Sequence, residues 1–360
     1  MGMRSKLRFW LGVVLLATTA WADRSVEPLT GEDFARYLHD LPIDSRVPAT
    51  LRNVAELGDA GRAAGPEVLR FLNAPDPGSR LAAARALGFI RYQPALPALL
   101  AALDDPVDVR LNWVAAESLG RLRNPHSVDA LQRATDEHWY PPVRLAAANA
   151  LRHIREDTPY ATRLGRGGFP AEFFRYSGWQ DDFLVCHPAL EGRNPYGERG
   201  DSLGVSDATQ LEKLHYRYDR FGGEVEGLTE MKDAIPTVAL KVDRGWLAGS
   251  DRGEWGGELV FIRDDGKQFP LIHENVFDVF RFGNRILVIT GLAHMGTNEG
   301  GIHVLSADDA SGRWTATLWR ALPLAPRNAR IDHGDLRIEL YGGDAILVTA
   351  DGAMRMAPCG

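Results

Sequence analysis

A repeat of 32 residues constrains this chain more than any other feature. Arg80-Leu81-Ala82-Ala83-Ala84-Arg85-Ala86-Leu87 aligns with Asn112-Trp113-Val114-Ala115-Ala116-Glu117-Ser118-Leu119, and both align with Arg144-Leu145-Ala146-Ala147-Ala148-Asn149-Ala150-Leu151. A fixed offset of this size is the mark of helix pairs that stack, each burying a face that its neighbour completes, rather than of a single globular core.

Each copy divides into two helices. Leu96, Leu99, Ala102 and Leu103 recur at helical spacing after Pro94, as do Val128, Leu131 and Ala134 after His126, so the first helix of each pair buries one face. The second helix carries paired alanines at 83–84, 115–116 and 147–148, small enough for close helix approach, with Leu87, Leu119 and Leu151 filling between layers. Asp76-Pro77, Asp105-Pro106 and Pro141-Pro142 precede these second helices, where Asp caps free amides and Pro suits the first turn. A weaker copy comes first: Leu51, Leu57 and Gly58 match Leu81, Leu87 and Gly88, followed by Val68, Leu69 and Leu72. Thr30-Gly31-Glu32-Asp33 reads as a capping box opening a helix with Phe34, Tyr37, Leu38 and Leu41 that covers the end of the array.

The Arg-Leu-Ala-Ala-Ala-x-Ala-Leu-Gly pattern at 80–88, with Asp76 to Ile90 and Asp105 to Leu122 around it, resembles HEAT repeats of the short, PBS-lyase-like type over residues 44–156. The middle copy departs from the pattern at Asn112 and Trp113, and the last has Arg152 where Gly would follow Leu. The resemblance implies a right-handed superhelix whose second helices line a concave surface, and protein–protein binding rather than catalysis. Lyase activity is not implied, because this region lacks a cysteine. In that geometry Arg85, Arg91, Glu117, Arg121, Asn149 and Arg152 project to the concave side, either as an Arg-rich groove for an acidic or peptide partner or as an ordinary solvated face.

The N-terminus reads as a signal peptide over residues 1–22: Arg4, Lys6 and Arg8, an apolar run from Phe9 to Ala20, and Ala20-Trp21-Ala22 as the cleavage site. Export to the periplasm or secretion is therefore expected, with no stable membrane insertion of the mature chain. Cleavage takes the net charge from −7 to −10, leaving 38 basic against 48 acidic residues. An acidic chain lacks the basic footprint that phosphate backbones require, so nucleic acid is not an expected partner. Two cysteines, Cys186 and Cys359, form a disulfide in an oxidising compartment or remain as thiols.

Domain boundaries follow from where the patterns change: a capping helix at 23–43, the repeats at 44–156, a linker at 157–171 and an all-β region at 172–360. In the last, Gly-Gly followed by a strand occurs at Gly256-Gly257, Gly300-Gly301 and Gly342-Gly343, each with a strand before it and a turn after it. Three units of four short strands fit propeller blades, and 172–234 is left to supply a fourth. The fold class is thus an N-terminal α-solenoid followed by an all-β, propeller-like module; a β-sandwich is the other reading. Loops at equivalent places in successive units emerge on one face, bringing Asp251, Trp255, His294 and Asn298 to a common rim as recognition residues or as solvated polar tips.

Chemical motifs are sparse. Gly200-Asp201-Ser202-Leu203 matches a short esterase signature, but none of the ten His follows an Asp by three residues, the spacing that would activate the serine. No paired Cys or His spacing suits zinc, no alternating Asp loop suits calcium and no phosphate loop occurs, so no cofactor is expected. The expected function is an exported scaffold that binds another envelope or secreted protein; an envelope hydrolase acting through Ser202 is the competing class.

Overall fold

The 32-residue period reappears as helix starts. In the computed structural model α1 spans Gly31–His39, α2 Arg46–Glu56, α3 Gly65–Arg70, α4 Pro77–Phe89, α5 Leu96–Leu103, α6 Val109–Leu122, α7 Val128–Glu137 and α8 Pro141–Arg155. The second helices α4, α6 and α8 thus begin 32 residues apart, as do α5 and α7. The structure describes residues 28–43, 46–158, 160, 202–205, 207–219, 230–294, 297–308, 312–341 and 344–358. The signal segment, most of the linker, and both Cys186 and Cys359 lie outside them.

Local chemistry explains the boundaries. Asp76 caps α4 by accepting from the Ser79 N–H at 2.7 Å, with Pro77 at the first position. Asp105 was expected to cap the next helix. It instead accepts from the Val107 and Asp108 N–H groups, and Asp108 is the cap of α6 through the Arg110 N–H. Before α8, Tyr140 occupies the cap position with no side-chain bond.

The array core is layered. Ala83, Ala84, Ala115, Ala116 and Ala147 are fully buried, as are Leu87 and Leu119. A Cβ at Gly88 would come within 2.7 Å of Ser118 Cα, so α4 and α6 touch nearly backbone to backbone there. Every residue of α6 is buried. Among the described residues no further helix layer follows α8, and Leu145, aligned with buried Leu81 and Trp113, is 58% exposed.

The C-terminal region is four antiparallel sheets, none closed. β1 (Tyr216–Asp219) and β2 (Met231–Ala234) form a ladder. β3 (Val238–Val242), β4 (Gly245–Asp251), β5 (Gly257–Arg263) and β6 (Gln268–Ile272) form the first four-stranded meander. β7 (Val276–Phe282), β8 (Arg285–His294), β9 (Thr297–Ala307) and β10 (Trp314–Leu322) form the second. β11 (Pro326–Asp332), β12 (Asp335–Leu340), β13 (Ala345–Val348) and β14 (Met354–Met356) form the third. Gly256-Gly257 marks the second-to-third strand connection of the first meander, whereas Gly300-Gly301 falls inside β9, paired with Gly291 and Thr290 of β8, and Gly342-Gly343 lies outside the described residues. The segment expected to supply a fourth unit contributes, among the described residues, one short helix (α9, Ala208–Leu211) and the two-stranded ladder.

One apolar cluster joins the first and second meanders through Val238, Leu247, Phe261, Val279, Val288 and Leu305. Another joins the second and third through Phe280, Leu287, Ile289, Leu336, Ile338 and Ile346. Trp139, just before α8, packs against both this cluster and the array core. Residues Gly31–Gly360 form one compact unit.

A bulge in β7 places Asp278 in the interior, where it is wholly buried. Its carboxylate accepts from Ser202 Oγ at 2.6 Å, the Leu203 N–H at 2.7 Å and the Val279 N–H at 2.8 Å. Asp278→Ala leaves these donors without an acceptor and is expected to cost about 1–3 kcal/mol, read as a lower urea midpoint. Residues 202–205 are expected to become protease-sensitive in the same variant.

Candidate binding surfaces

The rim is built from the loop between β4 and β5 and the end of β8, which lies beside it. Asn275 fixes the first loop: its Oδ1 accepts from the Arg252 N–H at 3.0 Å and its Nδ2 donates to Gly253 C=O at 2.8 Å. The Gly291 N–H donates to Asn275 C=O, which ties the same residue to β8. Gly253 and Gly256 take positive φ, so the chain turns sharply around Trp255. Trp255 is 65% exposed. Across the gap His294 Nε2 lies 2.8 Å from Glu254 Oε2, both half exposed. Asp251 is half-buried and accepts from the Gly253 N–H, stiffening the turn.

Behind this loop sits a buried polar knot. Tyr216 donates to Glu258 and shares a bond with Ser250, while Arg252 forks onto Glu258 and lies 3.9 Å from the Tyr218 ring centroid. Burial, then the bond to Glu258, push the Tyr216 phenol well above its usual range. The phenol therefore acts as a fixed donor that clamps β1 to the first meander.

Asn298 was expected on the rim. The strands extend further than the sequence suggests, with β8 running to His294 and β9 starting at Thr297. Asn298 lies in β9, is 4% exposed, and accepts from the Ala325 N–H at 2.7 Å. It holds the connection between the second and third meanders.

The expected concave face is also altered. Arg85, Glu117 and Arg121 are 6, 7 and 5% exposed, not solvent-facing. The Arg121 guanidinium lies 4.1 Å from the Phe89 ring centroid and 4.9 Å from that of Tyr160, and 3.6 Å from Glu117. Arg85 lies over Trp113 at 5.7 Å. Tyr160, just past the array, sits against Gly120, where a Cβ would meet its ring at 2.3 Å. The Tyr160 side chain thus covers part of the second-helix face. Of the expected residues, Asn149 is half-buried and Arg152 exposed, joined at 3.4 Å. Arg91 is exposed at the end of α4 and bonds Asp59.

A third constellation lies where array and sheets meet. Arg110 is buried on Asp108 at 2.9 Å and reaches Glu299 at 3.3 Å. Burial depresses its guanidinium, but Asp108 and then the two glutamates outweigh this and raise it further. Glu274 extends the cluster through His303 at 3.7 Å, and His303 contacts Thr290 Oγ1 at 3.2 Å. Desolvation pushes the Glu274 carboxyl up, and the stronger pull of His303, Thr290 and Arg110 brings it below its usual range. These groups form ion pairs and hydrogen bonds; among the described residues no group of three or more His, Cys, Asp or Glu has metal-holding geometry. The sequence carried one clue, a charged Arg110 where the sister copies have Gly78 and Pro142.

Ser202 Oγ donates to Asp278, and no described histidine bonds it. Among the described residues no helix is long and apolar enough to cross a membrane.

No curated protein matches the chain in a sequence comparison. The sequence model for HEAT repeats matches residues 49–115, and that for the PBS lyase HEAT-like repeat matches residues 112–137. Residues 49–137 of the helical array, which include α6 and its junction with the sheets, are therefore HEAT repeats.

Proposed function

We propose that this chain is an exported, periplasmic scaffold that binds another envelope or secreted protein. HEAT repeats commonly mediate protein–protein interaction, and the matched repeats support that class of use. The observation that carries the reading is Trp255, a large aromatic group held 65% exposed on a loop braced by Asn275. An exposed aromatic on a rigid loop loses little entropy on docking, which is why such residues anchor interfaces. Glu254 and His294 beside it supply polar contacts at the edge. On the array, Asn149 and Arg152 remain for contact, because Arg85, Glu117 and Arg121 are packed inside.

The three consecutive meanders are read as blade-like units of a propeller-like module. Their shared four-strand order and face-to-face packing support this.

Trp255→Ala is expected to leave the unfolding midpoint within about 0.5 kcal/mol of the parent, as for other surface changes. Affinity capture from the envelope fraction should retain a stoichiometric protein with the parent chain and lose it with Trp255→Ala. Equal recovery with both chains would remove the rim from the account, and a chain confined to the cytoplasm on fractionation would remove export.

A further inference from the structure

β10 is an edge strand whose outer side is only partly used. The Asp308 N–H donates to Arg313 C=O at the base of the β9–β10 hairpin, which makes that a hydrogen-bonded pair. Alternation along the ladder then turns the backbone groups of Thr315 and Thr317 toward β9 and those of Ala316 and Leu318 outward. Beyond the bulge at Leu318/Arg320 the outward residue is Ala321. Its N–H donates to Val107 C=O at 2.7 Å, and Ala321 forms a parallel bridge with Asp108. The array has thus added one short stretch to this edge. Next to it, the outward N–H and C=O groups of Ala316 and Leu318 have no hydrogen-bond partner among the described residues.

Those groups open onto a groove of about 640 Å³ between β10 and the array. Its opposite wall is small and apolar, with Pro75, Ala98, Ala101 and Leu111. The two charged residues that line it are already engaged. Arg80 donates to the carbonyls of Ala74 and Pro75, and Asp105 accepts from the N–H groups of Val107 and Asp108. The groove therefore offers backbone hydrogen bonds on one side, room for small apolar side chains on the other, and no uncommitted charge.

We propose that the groove takes an extended, uncharged peptide segment of a partner protein, added as a strand to β10 in continuation of the Val107–Ala321 pairing. Main-chain bonds to Ala316 and Leu318 would supply affinity, and the alanine wall of α5 would select small side chains at alternate positions. Neither proline nor lysine blocks this stretch, the usual means by which edges are closed to added strands. The surface is separate from the Trp255 rim.

The test screens the full chain against a random linear peptide library and measures the enriched peptide by calorimetry. Ala316→Pro removes an outward N–H that no ladder bond uses and is tolerated on an edge. Ala101→Arg fills the groove from the helical wall without touching β10. Both variants, checked for an unchanged melting temperature, are expected to weaken the peptide by at least about tenfold. N-methylation of alternate peptide amides is expected to do the same, while Trp255→Ala leaves binding unchanged. Failure to enrich any peptide, or equal binding to parent and both groove variants, overturns the proposal. Self-association of the free chain that both groove variants abolish would assign the edge to a second copy and equally overturn it.

Discussion

Asp108→Ala is expected to lower the unfolding free energy by about 3–5 kcal/mol, the cost of leaving one member of a buried ion pair without its counter-charge. Arg110 stays enclosed between α6 and the second meander, and Glu299 reaches it at 3.3 Å from a half-exposed position that water screens. The loss also reaches the neighbouring backbone, because Asp108 caps α6 and bridges Ala321. Removing both charges is expected to be milder. Asp108→Asn with Arg110→Met keeps a cap and fills the volume, and should recover most of the deficit in urea unfolding. Equal losses in the single and double variants would contradict the stranded charge as the source of the damage.

Leu119→Ala is expected to cost about 2–5 kcal/mol, since the removed methyls leave a cavity that helices on either side cannot close. Leu119 is fully buried in α6, with α4 and α8 packed against that helix. Leu145→Ala in α8 is the matched control. It sits in the next and last repeat, where no further helix covers it among the described residues, and its exposure predicts a change within about 0.5 kcal/mol. Chemical denaturation of the two variants separates a layered array from a core closed on all sides. In the latter both substitutions would be costly.

The sequence made the helical layers legible because burial in a stack is local. Paired alanines, the leucine three or four residues on, and the Asp76 cap all act within one helix and its neighbour. The meanders were legible through alternation and turn chemistry, with Gly256-Gly257 at the second connection of the first meander and the Asp265-Gly266 turn following its third strand. What failed were inferences about which side chains face water. Arg85, Glu117 and Arg121 have polar identities that suit a solvated face, yet aromatic rings from Phe89, Trp113 and Tyr160 lie over the guanidinium groups. That outcome depends on contacts between neighbouring helices and with Tyr160, which no helical period encodes. Asn298 was misplaced because β9 starts at Thr297, so a residue counted as loop fell inside the ladder opposite Ala293. Arg110 and Glu299 are 189 residues apart, and only a contact between modules brings them together.

Site-specific photocrosslinking in intact cells tests the central claim most directly. A crosslinking amino acid in place of Trp255 is compared with one at Ile331, an exposed apolar position on β11 in the third meander. The account predicts one dominant protein adduct from position 255 and none from position 331. No adduct from 255, or the same adducts from both positions, would contradict it.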